Sequence, residues 1–362
     1  MNLSGIPALR RHCIGLVADA QSREVLNYIQ KDIPALISEL DIWVQNGAGT
    51  LDAERRRAIR EVVNAVEHGI QSALNKNSSR IRTISSLANA TFESKVYKDQ
   101  HIERWVEGAV QASRVWHGWA PMTYKMFCGN FGYHSTPKQA VQSWNHQAMH
   151  TMTLDLSTRW RDFKLQLEGY HARVLDTVNS VQADAVQKID DELSEFPASI
   201  ATVLGEVVSR RIQLLAEDIE RHYTTLLEDL WILETNALTG IRTSIFGKAM
   251  ESSYDQANAD SGSGSDQRRK AVIRETLSRD MLFKDHMTQF RQGFRKHTSK
   301  WRVSLADALD HRLSELSVTF DMIRQDHAAR EGDQDPQFRN RLATELSNSK
   351  TEMRRINAMV GF

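Results

Sequence analysis

The sequence predicts an all-α fold: an elongated bundle of long amphipathic helices with one irregular glycine- and aromatic-rich segment. Three observations predict it. The 362 residues include only 6 prolines and 18 glycines, and these cluster, leaving long uninterrupted stretches. Those stretches repeat apolar residues in steps of three and four, the spacing of one helix face. The period-two alternation rich in Val, Ile and Thr that marks strands is almost missing.

From the N-terminus, Ile6 to about Gln45 reads as helix with a break near Pro34. Thr50 can cap a helix with Asp52 and Glu54 in its first turn, where acids suit the dipole, and Ile59, Val62, Val66 and Ile70 continue it. Helix is again expected from about Ser79 to Trp116. Trp116 to Asn145 differs: Gly118, Pro121, Gly129, Gly132 and Pro137 interrupt Trp119, Tyr124, Phe127, Phe131 and Tyr133 without a period. An ordered irregular segment is expected there, ending where Ser135 or Thr136 caps a helix with Pro137 at its first position.

The clearest stripe runs from Leu154 to Phe196, through Leu156, Trp160, Phe163, Leu167, Val174, Val178 and Ile189. Its steps are close to 3.6 residues, so it predicts one straight helix face. A new helix follows Pro197 and extends to about Asp260, with Ile200, Leu204, Val208, Ile212, Leu226, Leu230 and Ile241 on its stripe. Asp260-Ser-Gly-Ser-Gly-Ser-Asp266 reads as a flexible loop. Gln267 to about Arg330 returns to helix, with Phe283, Phe290, Phe294, Trp301 and Leu309. Asp335-Pro336 opens a last helix. The division expected is 1–115 as an N-terminal helical segment, 116–145 as the irregular segment, 146–332 as the long-helix stalk with loop 260–267, and 333–362 as the C-terminal helix.

Lys plus Arg equal Asp plus Glu at 46 each, which argues against wholesale coating of nucleic acid or anionic membrane. The clusters Arg55-Arg56-Arg57, Arg210-Arg211 and Arg268-Arg269-Lys270 sit beside acids and read as solvated helix faces. Two cysteines, Cys13 and Cys128, fit a reducing compartment, cytoplasmic or nuclear.

Catalytic motifs do not emerge, and no enzyme, cofactor or small-molecule substrate is expected. Gly240 to Ala249 has the wrong spacing for a phosphate-cradling loop and falls within an expected helix. His101-Ile-Glu103 lacks the P-C-x-x-C of a zinc deaminase. Cys128, His134, His146 and His150 are a possible zinc set, because one thiolate and three imidazoles can close a tetrahedron; the alternative is scattered histidines beside an aromatic plug. Trp144-Asn145 is expected to combine a buried ring with a cap or turn hydrogen bond. Trp144, Asn145, Trp160, Phe163 and Trp301 are expected to be structural or interaction residues.

Three stretches together resemble the C-terminal helical region of fungal dynamin-like large GTPases related to the nuclear GTPase SLIP-GC. They are Ile6-Pro-Ala-Leu-Arg-Arg-His-Cys13 with Ile33-Pro34 and Trp43, then Gly129-Asn-Phe-Gly-Tyr-His-Ser-Thr-Pro137 ending in Trp144-Asn145, then Ser261 to Lys270 leading to Phe283 and Trp301. The P-loop, switches and guanine-specificity motif of that family would precede Ile6, where only Met1 to Gly5 stand, so GTP hydrolysis is not carried over. The resemblance implies a non-enzymatic stalk that assembles with itself or with a GTPase-bearing relative. A lipid- or nucleic-acid-binding helical protein using the Arg clusters is the alternative, followed by the zinc protein.

Overall fold

The computed structural model describes residues 53–97, 101–136, 139–194, 198–324 and 336–359, with scattered positions between Arg10 and Val44. The described residues form eleven helices and one two-stranded sheet, so the fold is all-α as the patterns predict. In order they are α1 (Ala53–Leu74), α2 (Arg80–Lys95), α3 (Ile102–His117), α4 (Pro121–Gly129), β1 (Tyr133–Thr136), β2 (Gln139–Ser143), α5 (Trp144–Ala148), α6 (His150–Glu192), α7 (Ala198–Leu238), α8 (Ile245–Ala259), α9 (Ser265–Leu277), α10 (Asp280–Arg324) and α11 (Pro336–Met359). Among the described residues no helix is long and apolar enough to cross a membrane.

Two compact units share this chain. One takes residues 1–80, 175–219 and 306–362; the other takes 81–174 and 220–305. Helices α6, α7 and α10 therefore each contribute residues to both.

In the first unit, the stripes close as their spacing requires. Val62, Val66 and Ile70 of α1, Val178 and Ile189 of α6, Leu204, Val208 and Ile212 of α7, and Leu309, Leu316 and Phe320 of α10 are all buried. The buried Asp218 carboxylate accepts from Arg312 Nε at 2.7 Å, and Arg312 also reaches Glu315 at 2.8 Å. A buried charge left alone would be costly, and this one is paired. Ile37 and Val44 pack on Leu346 of α11.

The second unit is held by aromatic rings. Phe92 of α2 stacks on Phe294 of α10 at 4.1 Å and meets Trp160 and Phe163 of α6 edge-on. Trp301 lies near Tyr223, which stacks on the His171 ring at 3.8 Å. Trp160, Phe163 and Trp301 are all buried, in the core of this unit and not on its surface.

Several local expectations are corrected. The segment 116–145 is not irregular: it holds α4, the antiparallel β1–β2 pair and the start of α5. Pro137 itself lies outside the described residues, but Gln139 to Ser143 after it pair with Tyr133 to Thr136 as a strand, Tyr133 opposite Ser143, where a helix was expected. The stripe after Pro197 does not reach Asp260 in one helix; residues 239–244 break it, and Ile241 is exposed. A second break separates α9 from α10 near Ser278 and Arg279. Ile33, Pro34, Leu36 and Ile37 are helical, and the other residues around the break expected near Pro34 lie outside the described residues. The Thr50 cap, Asp335 and residues 325–330 lie outside the described residues.

Candidate functional site

In the second unit, α3, α4, the hairpin, α5, α8 and α9 gather around one ring. Trp144 is completely buried. It stacks on Trp116 at 4.7 Å and on Phe127 at 5.0 Å, with Trp119, Tyr124 and Tyr254 at its remaining sides. Its indole Nε1 is buried with no hydrogen-bond partner among the described residues.

The local chain explains why Trp144 arrives there. Helix α4 starts with Pro121 at its first position, where a missing N–H costs nothing. It ends in a reversal: Gly132 N–H donates to Phe127 O at 2.8 Å and Phe131 N–H donates to Cys128 O at 3.1 Å. That pair of bonds places Phe131 at the left-handed position that normally takes glycine, and its φ is 53°. The Arg242 guanidinium lies 3.5 Å from the centre of its ring, a cation–π contact that offsets part of the strain. The hairpin then returns, and Trp144 N–H donates to Gly132 O at 2.8 Å. Gly132 has φ 79°, and a Cβ there would fall 2.5 Å from the Tyr254 hydroxyl, so only glycine fits.

Asn145 links three elements. Its Oδ1 accepts from the Tyr254 hydroxyl at 2.8 Å and its Nδ2 donates to Phe131 O at 3.3 Å. The helix cap expected of this junction is supplied by Ser143, whose hydroxyl accepts from His146 N–H. Burial pushes the Tyr254 and Tyr124 phenols well above their usual range and the Cys128 thiol up to about 12. All three stay protonated at neutral pH.

The possible zinc set is dispersed. Among the described residues no three His, Cys, Asp or Glu side chains form a group able to hold a metal ion. Cys128 is buried as a thiol, His134 meets the edge of Phe127, and His146 Nε2 accepts from Gly240 N–H at 3.1 Å. His150 is exposed on α6. The Gly240 loop lies so close to α5 that a Cβ would stand 2.4 Å from the His146 nitrogen. The string Gly240 to Ala249 is thus a loop and a first helical turn rather than helix interior, with Ser244 capping Gly247 N–H at 3.1 Å; its nearest preceding element is α7, not a strand.

The Arg268-Arg269-Lys270 cluster is only partly a solvated face: Arg268 is exposed, Lys270 is half-buried and Arg269 is buried. Arg268 grips the Asp260 carboxylate with two nitrogens and donates to Ser263 O at 2.9 Å. Arg269 is buried and gathers the Ala257 and Asp260 carbonyls at the end of α8. The 260–266 loop, expected to be flexible, is held by these donors and by Gly262 and Gly264 at positive φ. Lys270 reaches Asp266 at 2.7 Å and Trp119 O at 3.3 Å. Sequence patterning missed Tyr254, Arg242, Gly240 and this arginine pair. Ser244 followed by an apolar run was the one legible signal for the break before α8.

A family model described as a domain of unknown function, DUF7605, matches residues 100–283, the segment that supplies Trp144 and every ring around it. No curated protein and no solved structure matches the chain.

Proposed function

We propose that this chain, which belongs to the DUF7605 family, is a non-enzymatic helical scaffold that associates with a second copy of itself through α7. One observation carries the reading. Besides its buried stripe, α7 has a second short apolar row, Leu227, Trp231 and the half-buried Leu238, on helical spacing. Trp231 is 68% exposed and its neighbour Ile232 is 51% exposed. An indole buries roughly 150–250 Å² on docking, and at about 25 cal/mol per Å² each copy would contribute several kcal/mol. Glu234, paired with Lys164, flanks the row as a polar neighbour.

A GTPase-bearing relative is the second candidate occupant, by the resemblance of the Gly129–Asn145 and Ser261–Lys270 stretches to dynamin-like helical regions. Coating of nucleic acid or lipid has less support, because Arg269 is buried, Arg268 is paired with Asp260 and the chain carries no net charge.

Molar mass by light scattering, across a roughly hundredfold concentration range, tests the reading. A concentration-dependent dimer is expected, which Trp231→Glu dissolves while keeping the Tm of the wild-type chain at dilutions where it is monomeric. A monomer at every concentration removes self-association, and capture by a full-length GTPase relative then decides the second candidate.

A further inference from the structure

Where the end of α3 meets α9, a groove of about 450 Å³ is lined by His117, Gln267, Lys270, Arg274 and Ser278. All of these offer hydrogen-bond donors, and Gln267, Lys270, Arg274 and Ser278 lie on one face of α9 by their spacing. Lys270 and Arg274 are like charges four residues apart, a pairing that costs a helix stability unless something answers it. Lys270 is answered by Asp266 at 2.7 Å. Arg274 is not: among the described residues its guanidinium makes no ion pair or hydrogen bond. Glu275, the groove's remaining acid, is drawn to Arg279 at 2.6 Å. His117 Nε2 is buried and makes no well-formed hydrogen bond among the described residues, although the Lys270 backbone lies close enough to act on the ring.

We propose that this groove binds a phosphate-class dianion, held by Arg274 and Lys270 with His117 behind them. A planar guanidinium presents a fork of donors that matches phosphate oxygens. The charges around His117 fit an unfilled anion site. Burial lowers its pKa first, then the nearby Lys270 and Arg274 cations, with Asp266 and the Lys270 backbone opposing them. A dianion in the groove would reverse the cationic contribution, so binding and protonation of His117 are coupled. Tyr124, the other titratable ring facing His117 at 6.2 Å, stays neutral. Self-association through α7 uses none of these residues, so the two proposals stand or fall separately.

The test is the NMR titration of His117 in the full chain, with inorganic phosphate compared against chloride at equal ionic strength, since salt alone screens the two cations. Phosphate is expected to raise the His117 pKa by about one unit, equivalent to about tenfold tighter binding by the protonated ring. Arg274→Ala should abolish that rise, and Arg302→Ala, outside the groove, should leave it. Sedimentation with phosphatidylcholine vesicles, with and without phosphatidic acid, separates a lipid headgroup from a soluble phosphate as the source. A His117 response that survives in Arg274→Ala overturns the site, as does the absence of both a phosphate response and phosphatidic acid binding.

Discussion

His286 of α10 has its ring fully enclosed, and neither nitrogen makes a well-formed hydrogen bond among the described residues. Burial pushes its pKa from 6.5 to about 4, with the Ala237 backbone offsetting a little of the shift. In the unfolded chain the same ring protonates near its ordinary value. Acid therefore favours the unfolded chain: the contribution is complete above about pH 6.5 and is lost as pH falls toward 4, by about 3 kcal/mol in all. Urea melts of wild type and His286→Leu at neutral and mildly acid pH should show a smaller acid loss in the variant; equal losses would mean the ring protonates in place. Trp144 is the second residue whose surroundings set a measurable cost. Its ring is stacked on both sides, so Trp144→Ala should lower stability by about 3–5 kcal/mol in a denaturant melt. An unchanged midpoint would mean that the cluster does not hold the unit.

At the scale of elements, junctions matter more than helices. The 239–244 break ends α7, and Gly240 lets it lie against the backbone of α5. Gly240→Ala puts a methyl group where the His146 nitrogen stands, so the loop or α5 must move. The expected cost is about 1–3 kcal/mol, together with loss of amide protection at Gly240, whose N–H donates to His146. A variant as stable as wild type would show that the contact yields freely. Stripes made the long helices legible because each core-facing position repeats every three or four residues. The hairpin was not legible: Tyr133 to Ser143 has few β-branched residues, and Pro137 imitates a helix start. Phe131 in a left-handed conformation has no sequence signature, since part of its strain is offset by Arg242, more than a hundred positions away.

Across the whole molecule, two units are each assembled from separated segments, and no composition shift along the chain marks where α6, α7 and α10 pass from one to the other. The exposed Trp231 belongs to this scale. Periodicity assigns α7 a single buried face, through Leu226, Leu230 and Leu233, and only the packed structure reveals which apolar residues are left uncovered. That is why the Trp231→Glu experiment reads association rather than folding. By itself the sequence determined that the protein is all-α, where its long helices run, and that Trp144, Trp160, Phe163 and Trp301 are core, because these follow from local period and hydrophobicity. Tertiary structure alone decided the breaks inside the stripes, the hairpin, the arginine clamp on the 260–266 loop and the dispersal of the four zinc candidates. Each of those depends on contacts between residues distant in the chain, and a local pattern carries no information about which distant partner it will meet.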